Sequence, residues 1–293
     1  MDEIDFFLLK KLVENSRLTY RELAEMTDLS VSATHKRINN LIEDGIIEAF
    51  IARPSPIALN YIWVIIFGTS RAKSMDVVSK ELGQHENIFF IGVAGAKSLY
   101  VFTYLRNINE LQELSTYISK NAQISKPVVG IVNVPYQATT EYLTNIDYKI
   151  LRSLNRDARK PITDIADDLG LSAKTVKKRI DRMIEYNLAT FTIQWKIWYV
   201  SFITVFSIVL NEGTDIRATI QYLNQKYSKN VFSCLSFSNF PNMITFETWT
   251  NTPLESQKIQ EELQTEGFKN ITPYIGLSGE YYDSWIDRLV RTK

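Results

Sequence analysis

Two stretches decide the fold: DFFLLKKLVENSRLTYRELAEMTDLSVSATHKRINNLIEDGI, residues 5–46, and DYKILRSLNRDARKPITDIADDLGLSAKTVKKRIDRMIEYNL, residues 147–188. They align without a gap, 142 positions apart, and share 12 identities in 42 positions. These include Asp5/Asp147, Arg17/Arg159, Leu29/Leu171, Ser30/Ser172 and Lys36-Arg37-Ile38/Lys178-Arg179-Ile180. Unrelated segments of ordinary composition would share about 2 to 3. The chain is a tandem duplication, and what one repeat is decides what the whole can do.

In the first repeat, Ile4, Leu8, Leu9 and Leu12 recur at helical spacing and predict a helix from Asp5 to Asn15. Thr19-Tyr-Arg-Glu22 has the form of a capping box and predicts a second helix carrying Leu23 and Ala24 inward. Asp28-Leu29-Ser30 then reads as a tight turn, with Ser30 capping a third helix. That helix should bury Thr34, Ile38, Leu41 and Ile42 and present Ser32, His35, Lys36 and Asn39, with Arg37 on its flank. In the second repeat Val176, Ile180, Met183 and Ile184 should be buried. Lys174, Lys177, Lys178, Asp181 and Arg182 should face out, with Arg179 on the flank. A short helix, a tight turn and a helix with a polar, basic front form a helix-turn-helix, whose second helix can enter the DNA major groove. The short apolar strand that follows, Ile46 to Ile51 or Leu188 to Ile193, predicts a winged variant.

Beyond each helical part the pattern changes to strand runs interleaved with helices, in the order βαββαβ of ferredoxin-like domains. The predicted fold is α+β: two tandem repeats of a winged helix-turn-helix domain followed by a ferredoxin-like domain. The predicted boundaries are 1–52, 58–138, 143–194 and 197–280, with a C-terminal helical extension over 281–293. Each sheet has one face under its own helices, so the other, with Trp63, Ile65 and Phe67 or Phe202, Thr204 and Phe206, needs cover. The two ferredoxin-like domains should therefore pack on each other. Tyr281 to Val290, amphipathic and without a counterpart in the first repeat, is the expected contact between chains in a homodimer or higher homo-oligomer.

Composition narrows the classes. A single cysteine, Cys234, cannot form an intrachain disulfide, and Met1-Asp2-Glu3 lacks the basic start of a signal peptide, so a cytoplasmic location is expected. The most apolar stretch, Tyr199 to Leu210, is too short to span a bilayer. Net charge is zero, but residues 5–46 carry six Lys/Arg against seven Asp/Glu, whereas residues 147–188 carry ten against seven. The second repeat has the stronger electrostatic case for gripping a polyanion. His35, His85 and Cys234 are scattered, so no metal site is expected. No phosphate loop or nucleophile elbow is present, and no cofactor or catalytic residue is expected.

The motifs Ile4-Asp5, Arg17-Leu18-Thr19, Glu22-Leu23-Ala24, Leu29-Ser30, Lys36-Arg37-Ile38 and Gly45-Ile46-Ile47 resemble the Lrp/AsnC, or feast/famine, family of transcription regulators. Ile146-Asp147, Arg159, Ile165-Ala166, Leu171-Ser172 and Lys178-Arg179-Ile180 repeat the resemblance. It implies a sequence-specific regulator of transcription that reads double-stranded DNA and assembles through its ferredoxin-like domains. The candidate DNA-binding residues are Lys174, Thr175, Lys177, Lys178, Arg179 and Arg182, with Ser32, His35, Lys36, Arg37 and Asn39. The family's effector loop carries Gly followed three residues later by Asp. Gly95-Ala96-Lys97-Ser98 keeps the glycine and has serine in place of the carboxylate, and Asn239-Phe240-Pro241-Asn242 has neither. Gly95 and Ser98 are thus the candidate contacts for an amino-acid effector. Two alternatives use the same fold: an enzyme resembling siroheme decarboxylases, and a non-DNA-binding module for protein interaction.

Overall fold

The computed structural model describes residues 1–134 and 139–293; the expected end of the first ferredoxin-like segment, at 138, lies outside the described residues. The first repeat runs α1 (Glu3–Glu14), α2 (Tyr20–Thr27), α3 (Val31–Glu43), β1 (Ile47–Pro54) and a short α4 (Pro56–Leu59). It continues β2 (Ile62–Thr69), α5 (Met75–Leu82), β3 (Ile88–Ala94), β4 (Ser98–Leu105), α6 (Glu110–Asn121) and β5 (Val128–Ile131). The second repeat opens with α7 (Asn145–Leu154), α8 (Ile162–Leu169), α9 (Ala173–Glu185) and β6 (Ala189–Trp195). Then come β7 (Phe202–Val209), α10 (Ile216–Lys226), β8 (Val231–Phe237), β9 (Phe240–Thr250), α11 (Pro253–Thr265), β10 (Asn270–Tyr281) and α12 (Trp285–Thr292). Contacts divide the chain into two units, each drawn from both repeats. Residues 62–134 and 197–282 form the sheet unit; residues 2–61, 139–196 and 283–293 form the helix-turn-helix unit.

In the helix-turn-helix unit, side chains cap the helices at matching places. Asp2 and Asp5 close a capping box on α1, as Thr144 and Asp147 do on α7, and Thr19 and Glu22 close the expected one on α2. The turn after the second helix needs a left-handed residue, supplied by Asp28 at φ 54° in one repeat and Gly170 at φ 62° in the other. Leu8, Leu9, Leu12, Leu23, Ile38 and Leu41 are buried, as are Ile150, Leu151, Leu154, Ile165, Val176, Ile180 and Met183. Ile42 and Ile184 are not: they are 40% and 39% exposed. Successive residues lie about 100° apart around a helix, so with Leu41 or Met183 turned in, the next residue turns out.

The strands β1 and β6 pair with each other, antiparallel from Ile47↔Trp195 to Pro54↔Ala189. Each repeat therefore supplies one strand to a shared ribbon. Two equivalent arginines reinforce it reciprocally: Arg17 Nη1 donates to Ala158 O at 2.6 Å, and Arg159 Nη1 to Ser16 O at 3.1 Å. The final helix α12 packs against α7 and β1, with Trp285, Ile286 and Val290 buried and Asp287 paired with Arg53 at 2.7 Å. Its apolar face is taken up within the chain, which corrects the expectation that Tyr281 to Val290 is a contact between chains.

The sheet unit holds eight strands in the order β5-β2-β4-β3-β10-β7-β9-β8, every neighbouring pair antiparallel. Each repeat contributes four strands in ferredoxin-like order, and the two sheets meet at two seams. At one, β3 and β10 pair over Ala94↔Gly276 to Phe90↔Tyr281. At the other, the chain just after β5 meets the end of β8 at the bridge Val132↔Phe237, with backbone bonds from Asn133 N to Ser236 O at 2.9 Å and from Ser238 N to Ile131 O at 2.8 Å, and the Asn239 side chain donates to Val129 O at 2.7 Å and accepts from Ile131 N at 2.9 Å. The difference follows from strand length, twelve residues for β10 against four for β5. Gly276 and Gly279 let the Trp198 ring lie directly on β10, where a Cβ would come within 2.6 to 2.7 Å of it.

Outer faces are covered by helices, Val64, Ile66, Val101 and Leu114 forming one core and Phe206, Ile208, Phe246 and Leu263 another. Between the sheets Trp63, Ile65, Phe67, Tyr100 and Phe102 meet Val205, Leu235, Met243 and Tyr274. The first repeat thus turns the expected residues to the second sheet. In the second repeat the parity differs by one: Phe206 packs under the helices and Thr204 bonds Ser256 of α11 at 2.6 Å, while Val205 faces inward. A shift of one residue exchanges the faces of a strand, and β7, with Thr204 and Ser207 three positions apart on opposite faces, gives no polar alternation from which to choose.

Candidate nucleic-acid interface

The helices α3 and α9 start alike. The hydroxyls of Ser30 and Ser172 each accept the backbone N–H three residues on, from Ala33 and Thr175, at 3.1 Å. Their backs are fixed by buried Thr34, Ile38 and Leu41 or Val176, Ile180 and Met183. With the inner face occupied, helical periodicity sends Ser32, His35 and Lys36 of α3, and Lys174, Lys177 and Lys178 of α9, into solvent, where all six are exposed. Asn39 is half-exposed and bonds His35 Nδ1 at 3.3 Å, while the His35 ring sits edge-on to Tyr20 with centroids 4.7 Å apart. Thr175 is half-buried, its hydroxyl 2.8 Å from that of Ser172.

Charge on the two fronts is unequal. Lys177 pairs with Asp181 at 2.6 Å one turn away, both largely exposed, so the pair is worth only about 0.3–0.5 kcal/mol. Among the described residues Lys174 and Lys178 have no ion-pair partner. On α3 the matching positions carry one lysine, Lys36.

The arginines behave differently from the lysines. Arg37 Nη1 lies 2.8 Å from Asp2 and 2.7 Å from Asp5. Arg179 sits 3.6 Å from Asp147, and Arg182 bonds Glu141 at 2.6 Å, Asp147 at 3.2 Å and Tyr142 O at 2.8 Å. Arg182, expected on the exposed front, is thus turned back onto the start of α7. The hydrogen bond to Asp5, then that to Asp2, raises the Arg37 pKa; the bond to Glu141 leads in raising that of Arg182. These arginines fasten each recognition helix to the first helix of its repeat. The Asp5/Asp147 identity was visible in the sequence, but its partner was not, because the pairing joins residues 32 or more positions apart.

The candidate effector loop is a tight turn. Ala96 and Lys97 adopt left-handed φ values of 53° and 57°, and Lys97 Nζ donates to Ala72 O at 2.9 Å. Ser98 is buried as the first residue of β4, opposite Thr69 and Ala94, and Gly95 is half-exposed. Among the described residues no group of three His, Cys, Asp or Glu is placed to hold a metal ion, and no helix is long and apolar enough to cross a membrane.

Comparison with known proteins agrees with this geometry. The winged helix-turn-helix DNA-binding family matches residues 1–48, and the AsnC-type helix-turn-helix domain matches residues 143–184. An uncharacterised HTH-type transcriptional regulator of Pyrococcus abyssi is 30% identical over 115 residues, 38% of this chain and 72% of the relative. The match to a Pyrococcus furiosus HTH-type regulator, 38% identical over 30% of this chain, spans 60% of that relative. The HTH-type transcriptional regulator FL11 of Pyrococcus abyssi is 28% identical over 48% of this chain and 95% of its own length, about one repeat. The fold over the whole length is shared with the siroheme decarboxylase NirDL, at a TM-score of 0.61 and 14% identity, covering 99% of this chain and 98% of that one. Two helix-turn-helix domains joined to ferredoxin-like domains define a regulator scaffold present twice. The chain belongs to the Lrp/AsnC family of helix-turn-helix transcription regulators.

Proposed function

We propose that the chain is a sequence-selective, double-stranded-DNA-binding transcription regulator and not an enzyme, and that α9 supplies most of its affinity. The observation that supports this is the pair of matched helices whose backs are packed, whose arginines are fastened inward and whose lysines and short polar side chains stand exposed. Lys174, Lys177 and Lys178 meet phosphates, which gives affinity that falls with salt; Ser32, His35, Lys36 and Asn39 meet base edges and phosphates on the weaker side. Arg37, Arg179 and Arg182 act by positioning. Fluorescence anisotropy with fragments of genomic DNA, including the chain's own promoter, tests it. Binding should weaken with salt at a slope of about 0.9 per phosphate contact, and salt-independent or absent binding to every fragment contradicts it. On this reading the protein works in the cytoplasm, as a homodimer or larger assembly of chains.

A second reading rests on the whole-length fold shared with NirDL, and makes the chain an enzyme acting on a tetrapyrrole. His35 is exposed on α3, and His85 is half-buried against the Tyr117 ring at 4.8 Å, with burial lowering its pKa. Titration with siroheme separates the two readings: the regulator gives no saturable absorbance shift, and the enzyme does.

A further inference from the structure

The second recognition helix holds a piece of chain that the first does not. Arg182 lies one turn beyond Lys178 and two beyond Lys174, so it continues their line along α9. Its guanidinium grips Glu141 through Nε at 3.0 Å and Nη2 at 2.6 Å, and Nη2 also donates to Tyr142 O at 2.8 Å. The equivalent residue of α3 is Asn40, exposed and too short for such a grip. The segment ahead of α7 is thereby fastened beside the front of α9, and the negative charge of Glu141 is met there by Arg182.

Tyr142 stands out from this segment. Both sides of it are fixed: Glu141 by Arg182, Leu143 by packing on the core of the second helix-turn-helix, and Thr144 by its capping box with Asp147. Tyr142 itself is 71% exposed, and its side chain has no hydrogen-bond or ring partner among the described residues. A tyrosine on a fixed backbone has only two side-chain torsions left to order when it meets a partner, so contact costs little entropy. Charge selects that partner. Lys149 and Arg152 of α7, with Lys174 and Lys178 of α9, are exposed and have no ion-pair partner among the described residues. At the places of Lys149 and Arg152, α1 carries Phe7 and Lys10. Such a surface favours a polyanion.

We propose that Tyr142 is a further DNA contact, its hydroxyl donating to a phosphate beside the groove that α9 enters and its ring lying on the adjoining sugar. Arg182 and Glu141 are positioning residues that hold the segment for it. In helix-turn-helix docking, chain leading into the first helix can reach the duplex next to the groove that the recognition helix fills, and tyrosine is among the side chains that bond phosphate oxygens. The proposal rests on the DNA-binding reading and extends the footprint on the α9 side alone.

Anisotropy and hydroxyl-radical footprinting of the full chain, on the tightest duplex it retains from a random DNA pool, test it. Tyr142→Ala should weaken binding at least about five-fold and Tyr142→Phe about two-fold or more, the loss of one hydrogen bond. Because tyrosine is uncharged, both variants should keep the parent's salt slope. Tyr142→Ala should also lose protection at one outer edge of the footprint, and Glu141→Ala, which keeps the ring but loosens its segment, should lose the same edge. Circular dichroism should show all three variants folded. Parent-like affinity and edge protection in Tyr142→Ala would overturn the proposal and leave the DNA-binding reading standing, and a Tyr142→Phe protein as tight as the parent would overturn the phosphate bond. A parent chain that retains no duplex would instead remove the DNA-binding reading, and this proposal with it.

Discussion

Where α3 carries Ser32, His35 and Lys36, α9 carries Lys174, Lys177 and Lys178 at the equivalent positions, while the residues that hold the two helices are alike. Both begin with a serine cap and bury a middle isoleucine, and both lean an arginine on the aspartate at the third position of the preceding first helix. The sheet unit shows the same separation, with β2 and β7 in corresponding places but Ser207, Thr245 and Glu247 standing where the first repeat has Phe67, Tyr100 and Phe102. Between the two repeats, positions that set geometry are alike and exposed positions on the helix fronts differ. A fused pair permits this, whereas identical chains in a homodimer would change together.

The framework itself is unequal in depth, and the largest expected effect lies there. Asp147 is fully buried beneath Arg179 and Arg182, while the Asp5 side chain is 17% exposed. Asp147→Ala should lower stability in urea unfolding by about 1–3 kcal/mol, because it removes the α7 capping box together with the buried carboxylate that Arg179 and Arg182 lean on, although Arg182 keeps Glu141. Asp5→Ala should cost about 1 kcal/mol, mostly its helix cap. Equal losses would show the two frameworks to be equivalent.

Next comes the DNA-facing difference. The double variant Lys177→Ala with Lys178→Ala should flatten the salt slope of DNA binding by up to about 1.8 units, two phosphate contacts at about 0.9 each. Changing His35 and Lys36 together should flatten it by no more than about one contact. A larger loss from the α3 pair, read by anisotropy across a salt series, reverses the ranking.

A pH effect distinguishes the inner walls. Glu247 has a raised pKa in the folded state, so folding favours its protonated form. Its contribution is fully present below the unfolded carboxyl value, about 4.3, and is lost as pH rises through the folded value. Near it, burial raises the pKa of the Tyr100 hydroxyl, which lies beside Tyr274, and of the Cys234 thiol on the helix-covered face of β8, the latter to about 12, while the Ser233 hydroxyl donates to Glu247. Thermal melts across mildly acidic to neutral pH should show Glu247→Gln losing less stability with rising pH than the parent chain, whereas Phe102→Leu should follow the parent's slope. The smallest effect is expected at Ile42 and Ile184: replacing either by alanine should change stability by no more than about 0.5 kcal/mol, as both are exposed.

Most of the framework was legible because local chemistry specified it. The Thr19/Glu22 box, the Ser30 cap and the βαββαβ order of each repeat follow from neighbours within a few residues. The misread features depend on distant partners. The parity of β7 is set by which sheet it meets, the ribbon of β1 and β6 joins the two repeats, and Arg182 is claimed by Glu141 41 positions away. Asn239 looked like a degenerate effector loop, yet its amide stitches the weak seam. On the candidate interface, helical spacing placed the lysines and His35 on the exposed front, and no sequence signal separated exposed lysines from fastened arginines.

Two unequal recognition helices in one chain should make one asymmetric reader of DNA. Selecting bound sequences from a random DNA pool, followed by footprinting of a single chain on the winners, tests it most directly. Each chain should select an asymmetric site, with any palindrome arising only from two chains paired about a dyad. A short perfect palindrome with half-sites about one helical turn apart, protected by one chain, would contradict it, as would a pool that yields no motif.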